Sequence, residues 1–300
     1  MQYYDCELAW WLNVGVQMFL CLSGYLYGRK TIDNELLFYK KQFIKILVPY
    51  YIVIIGAAIA QVLFARNEIS LAHIAKALLC CGRLSGGEHL WFIPTILFCY
   101  VLMPLFDKLN DWVLKKKYAL FYCIIAFVLL SVVVKLFVPY FNSAWIACCY
   151  LGHVLGKNEI KRTMSSTLCT GLIYVGALFL VSIQIVISYI LNLELSGTIQ
   201  TLSAIMFDYG HAFLGIAIVL FLLDVFKTRN IPNVIMRPIM FLDSISYEGY
   251  LVHQFFIFGT FSLLNIINQW IIAVIAIFAV TLICGFIVRI ISKEMKKLFK

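Results

Sequence analysis

Nine long apolar runs, divided by short breaks rich in charge, proline or glycine, constrain this chain more than any other feature. They are Leu8–Gly28, Phe43–Ala65, His89–Phe106, Tyr118–Val138, Ser143–Gly156, Leu168–Leu193, Tyr209–Phe226, Ser244–Leu264 and Trp270–Ile291. None alternates apolar with polar residues as a barrel strand would. In hydrocarbon each backbone N–H and C=O needs a partner within its own segment, so runs of this length are helices. Of the 300 residues 63% are hydrophobic and only 13% charged, whereas a water-soluble globule carries about a quarter charged residues. The expected fold class is therefore all-α, a polytopic integral membrane helical bundle of nine transmembrane helices. No linker, low-complexity tract or repeat divides it, which gives one domain over residues 1–300.

The fifth run is the weak one: its 14 residues rise about 21 Å against a hydrocarbon core of about 30 Å. Basic residues collect on the cytoplasmic side, and they test whether it crosses. With nine spans, 20 of the 24 Lys and Arg fall on one side, leaving Arg66, Lys76, Arg83 and Lys135 on the other. If the fifth run does not cross, the later loops change sides, and the bias is lost with nine inside and 14 outside. Nine spans put the C-terminus in the cytoplasm and the N-terminus of this chain outside. The net charge of +9 is then chiefly an orientation signal. It also suits anionic membrane lipid or a phosphate-bearing cytosolic ligand, and it gives no support to a nucleic-acid partner. No basic stretch precedes the first run, because Met1–Ala9 holds Asp5 and Glu7, so that run is expected to be retained and not cleaved as a signal peptide.

Seven of the ten cysteines (Cys21, Cys99, Cys123, Cys148, Cys149, Cys169 and Cys284) lie inside apolar runs, where they act as small hydrophobes. Cys80 and Cys81 are adjacent, a spacing that suits neither a zinc site nor an ordinary disulfide, and no metal is expected.

Ionisable groups inside such runs are costly, about 2.5 kcal/mol or more each, and mark candidate sites. The eighth run, SISYEGYLVHQFF, holds Glu248 and His253. Counted from its inner end, His253 lies about 13 Å deep, near the bilayer middle. Ser246, Tyr250 and His253 share one helix face at i, i+4, i+7 spacing, whereas Glu248 stands about 140° round from His253 and does not pair with it. This is either a helix-packing network or a lined polar cavity. His89 opens the third run in GGEHLWFIP, where Gly86, Gly87 and Pro94 shape the helix start. Its position admits both an interfacial and a catalytic reading. Asp208 and His211 stand three apart at the start of the seventh run, either as an acid/base dyad or as a solvated helix terminus. His153 and His73 read as interfacial or loop residues, and Asn13 with Gln17 as an inter-helix hydrogen-bonding pair.

Three stretches together resemble the membrane-bound acyltransferase 3 family, which includes bacterial polysaccharide O-acetyltransferases: VQMFLCLSGYLYGRK followed by FYKKQFIKILVPYY, then EHLWFIPTILFCYVLMPLF, then SISYEGYLVHQFF. The likeness covers nearly the whole chain. It implies an enzyme of the bacterial inner membrane that moves an acyl group, most simply acetyl, from cytosolic acyl-CoA to a hydroxyl of a cell-surface or lipid-linked glycan. The donor is a substrate, and no cofactor is implied. It further implies that His89 and His253 are catalytic, that Trp91 and Tyr250 shape the cavity, and that Arg29, Lys41 and Lys45 hold the phosphates of acyl-CoA; Ser246 and Glu248 are expected to line that cavity from their place on the eighth run. Lysine in place of arginine gives up part of the bidentate grip on phosphate.

The chain departs from the family pattern at its start. Members have ten spans, the first carrying an arginine and a histidine eleven residues later, whereas only 22 residues precede Ser23 here and none is Arg or His. The expectation is thus a truncated or late-started chain, or an inactive member of the family. A transporter or flippase is the reading from another class, and it calls for an inverted repeat with matching helix breaks, neither of which the sequence displays.

Overall fold

A computed structural model describes residues 14–64, 70–82, 84–113, 115–116, 119–137, 142–161, 166–186, 197–228 and 232–299. Every regular element among them is helical. In chain order these are α1 (Gly15–Gly28), α2 (Glu35–Phe64), α3 (Leu71–Leu78), α4 (Phe92–Val113), α5 (Ala119–Phe137), α6 (Ser143–Lys161), α7 (Ser166–Ile185), α8 (Gly197–Thr228), α9 (Asn233–His253) and α10 (Trp270–Lys297), with a 3-10 turn at Glu88–Trp91 leading into α4. Among the described residues Glu35–Phe64, Glu88–Val113, Ile199–Phe226 and Trp270–Lys297 are long and apolar enough to cross a membrane. Along α10, Ile271, Ile272, Val274, Ile275 and Phe278 are each more than half exposed, a continuous apolar surface that needs lipid and not water against it. The protein is an all-α membrane protein.

The chain gathers into two compact units, each assembled from two stretches: Met1–Asp33 with Val101–Asn230, and Asn34–Tyr100 with Ile231–Lys300. In the first, α1 lies against α6 at backbone contact. A Cβ at Gly24 or Gly28 would overlap the carbonyls of Cys149 or His153, and one at Gly152 or Gly156 those of Cys21 or Tyr25. Glycines four apart on both helices let the backbones touch, the small-residue packing that replaces hydrophobic burial in lipid. Helix α6 runs five residues beyond the expected Gly156 end, and its 19 residues rise about 28 Å. Its last turns stay helical because their polar groups find partners in α4. Lys157 pairs with Asp107 and lies 3.5 Å from Asp111. His153 is fully buried, with Asn110 Nδ2 donating to its Nδ1 at 2.6 Å. The reading of His153 as an interfacial or loop residue is corrected accordingly.

Helix α8 likewise begins twelve residues before the expected Tyr209, so Asp208 and His211 sit in its interior and not at a solvated terminus. Lys135 of α5 forms an ion pair with Asp208, which allows a carboxylate to remain inside an apolar helix. Beside that pair, Ser131 contacts Ser143 and lies 3.0 Å from the Tyr209 hydroxyl. Gln17 is buried on α1, while Asn13 falls outside the described residues.

In the second unit α2 packs against α9 and α10. The Tyr247 hydroxyl donates to the Ile46 carbonyl at 2.9 Å, and a Cβ at Gly285 of α10 would come 3.0 Å from the Gly249 nitrogen of α9. The expected continuous helix Ser244–Leu264 is not formed. Helix α9 starts eleven residues earlier, at Asn233, and ends at His253. Irregular backbone follows, with short 3-10 turns at Gln254–Phe256 and Leu263–Asn265. Gly259, with φ +76°, turns the chain. His253 therefore occupies the last position of a helix and not a point midway along one.

Candidate active site

Two glycines bring the start of α4 against the end of α9. Gly86 has φ +78°, and a Cβ there would lie 2.5 Å from the Phe258 carbonyl oxygen, while one at Gly259 would lie 2.6 Å from the Gly86 nitrogen. Only residues without Cβ allow both the positive φ and the approach. Gln61 of α2 fixes this loop from behind, donating from Nε2 to the Ser85 carbonyl at 2.8 Å.

His89 is then gripped through its main chain by the neighbours of His253. Its N–H donates to Gln254 Oε1 at 2.7 Å, and its carbonyl accepts from the Tyr250 hydroxyl at 2.5 Å. The two imidazole rings stand 4.8 Å apart, centre to centre, and Tyr250 is 5.0 Å from His89. Phe255 and Phe92 close the sides, edge-on to His89 and Tyr250 respectively.

Each ring has one nitrogen committed to the backbone. His89 Nε2 meets the Leu251 carbonyl at 3.3 Å, and His253 Nδ1 meets the Tyr250 carbonyl at 2.7 Å. A carbonyl only accepts, so each of these nitrogens carries a proton, and in the neutral rings the lone pairs fall to His89 Nδ1 and His253 Nε2. His89 Nδ1 is buried without a hydrogen-bond partner, while His253 is only half-buried. In its neutral form each imidazole thus keeps one basic nitrogen, which equips the pair to accept a proton from a hydroxyl.

The other sequence-derived candidates are distributed unevenly. Trp91 is half-buried and stands edge-on to Phe92 at 6.3 Å. Ser246 is exposed and donates to the Asp243 carbonyl at 2.9 Å, so the structure does not bring it to the histidines. Glu248 is buried and lines a separate cavity of about 360 Å³ with Arg289, Ser292, Lys293, Lys296 and Lys297. Lys41 and Lys45 are exposed on α2 and line a groove of about 330 Å³ with Leu37, Lys40, Ile44, Lys296 and Phe299. Arg29 belongs to the first unit, exposed past the end of α1 with its guanidinium 5.6 Å from the Tyr25 ring centre. Gln254 was missed from sequence, and its only signal there is adjacency to His253.

The fold and this site define a class: an α-helical membrane protein with a paired-histidine site at a helix break. A sequence model of the acyltransferase 3 family, described as an acyltransferase domain, matches residues 9–290. The chain belongs to that family, and the protein is a membrane acyltransferase. Neither the comparison with curated proteins nor that with solved structures returned a match.

Proposed function

We propose that the protein transfers an acyl group, most simply acetyl, from cytosolic acyl-CoA to a hydroxyl of a cell-surface or lipid-linked glycan, with the His89–His253 pair as its reaction centre. The observation that carries this reading is the facing imidazoles, each with one N–H tied to a carbonyl and one basic nitrogen left over. His253 Nε2, on the less buried ring, takes the proton of the acceptor hydroxyl as its oxygen attacks the thioester carbonyl carbon. The carbon–sulfur bond then breaks, and the thiolate receives the proton held by His253. General-base help of this kind contributes about 10²- to 10⁴-fold. Tyr250 and Gln254 hold His89 in register, and Trp91 walls the acceptor side. Lys41 and Lys45 hold the donor phosphates, and the basic loops face the cytoplasm of a multi-pass inner-membrane protein.

The test is transfer of label from radiolabelled acetyl-CoA to membrane glycan. Parent membranes are expected to label glycan, and His89→Ala and His253→Ala, matched for folded protein, to lose at least about 100-fold of that activity. Label in the parent that persists undiminished in both variants would remove the histidines from the chemistry.

A further inference from the structure

The cavity around Glu248 and the lysine groove of α2 share one residue, Lys296 of α10. Between them, among the described residues, they line up Lys40, Lys41, Lys45, Arg289, Lys293, Lys296 and Lys297, seven cations against one lining carboxylate, that of Glu248. One ion pair forms there among the described residues, Lys297 with Glu294 on the outer flank of α10. Arg289 is steered by donating to Ser244 Oγ. Excess positive charge focused in two adjoining cavities selects a ligand with more than one anionic group. Leu37, Ile44 and Phe299 add an apolar wall to one lobe, a surface on which a flat ring can lie. The buried Glu248 does the opposite of the lysines: it accepts hydrogen bonds, and so asks for a hydroxyl or amino group on the same ligand.

We infer that Lys296 joins these two lobes into a single nucleotide site, whose lysines on α2 and α10 grip phosphates while Glu248 accepts from a sugar hydroxyl or base amine. The inference rests on the acyl-CoA donor reading and deepens it by assigning α10 and Glu248 to the nucleotide end of the donor. Glu248 stands five residues from His253 on α9, about 7.5 Å along the helix axis, so a thioester on a flexible arm anchored here has the histidine pair within reach. Glu248 on this account recognises ligand and takes no part in the chemistry.

The test uses the full chain purified into nanodiscs of neutral phosphatidylcholine, with adenosine 3′,5′-bisphosphate and inorganic pyrophosphate as calorimetric probes. The parent is expected to bind both, and Lys296→Ala to weaken both about ten-fold or more, the usual loss for a charge-assisted contact. Glu248→Gln is expected to weaken the nucleotide and leave pyrophosphate unchanged. Lys41→Ala repeats the lysine test should Lys296→Ala lower the unfolding midpoint. Equal binding by parent and lysine variants overturns the inference. A parallel arm with anionic phosphatidylglycerol separates the other phosphate source: if the lysine variants alter lipid retention and not nucleotide binding, the groove is a lipid site and the inference falls. Nucleotide binding with these mutational effects, in a protein that transfers no acetyl group, leaves the inference standing and removes the acyl-transfer reading alone.

Discussion

At the scale of single residues, the site is set by main-chain hydrogen bonds that reach across the sequence. Gln254 and Tyr250 hold the N–H and C=O of His89, 165 and 161 positions away. Tyr250→Phe removes one donor and keeps the ring, and it is expected to cost about 1 kcal/mol of ordering at His89. Acyl transfer should fall several-fold without vanishing, read as a drop in kcat at unchanged KM for acyl-CoA. His89 and His253 were legible in the sequence because ionisable groups stand out against apolar runs. Gln254 was not, since its role is to meet a backbone N–H that no spacing rule connects to it. Ser246 shows the converse. Helical spacing put it on the face of Tyr250 and His253, but it lies too far back along α9 to share their surroundings.

At the scale of elements, the existence of the apolar segments was legible and their ends were not. Asp208 looks like a helix start only until Lys135 of α5 is found beside it; with that partner α8 continues through it. His153 and Lys157 look like the end of α6 until Asn110 and Asp107 of α4 supply theirs. The close packing of α1 on α6 was hidden for another reason: a glycine states that a side chain is missing, not which helix fills the space. Gly152→Val is expected to destabilise the first unit by about 1–3 kcal/mol or more, since the Cys21 carbonyl already occupies the room a Cβ needs. The check is the thermal unfolding midpoint in detergent, with Gly171→Ala, whose Cβ would meet nothing within 4 Å, as the neutral control. Equal midpoints would show that the helices do not touch there.

At the scale of the whole molecule, the exposed apolar faces and the family describe a membrane acyltransferase, whose donor on the proposed reading arrives from the cytoplasm. Orientation predicts that the segment after α3 faces outward. There Cys81 is exposed, while burial pushes the Cys80 thiol upward in pKa and keeps it less ionised. In a Cys6→Ser background, a membrane-impermeant maleimide added to intact cells should label Cys81 ahead of Cys80, and Cys81→Ser should lose most of the signal. Labelling that requires permeabilised cells would invert the topology. The most direct measurement of the account is chemical rescue of the base. Purified His253→Ala is given acetyl-CoA and glycan acceptor, with and without free imidazole, and single-turnover transfer is timed. The account predicts slow transfer that rises with imidazole concentration and saturates, while His89→Ala, whose lost nitrogen is buried, recovers less. Transfer by His253→Ala at the parent rate without imidazole would contradict it.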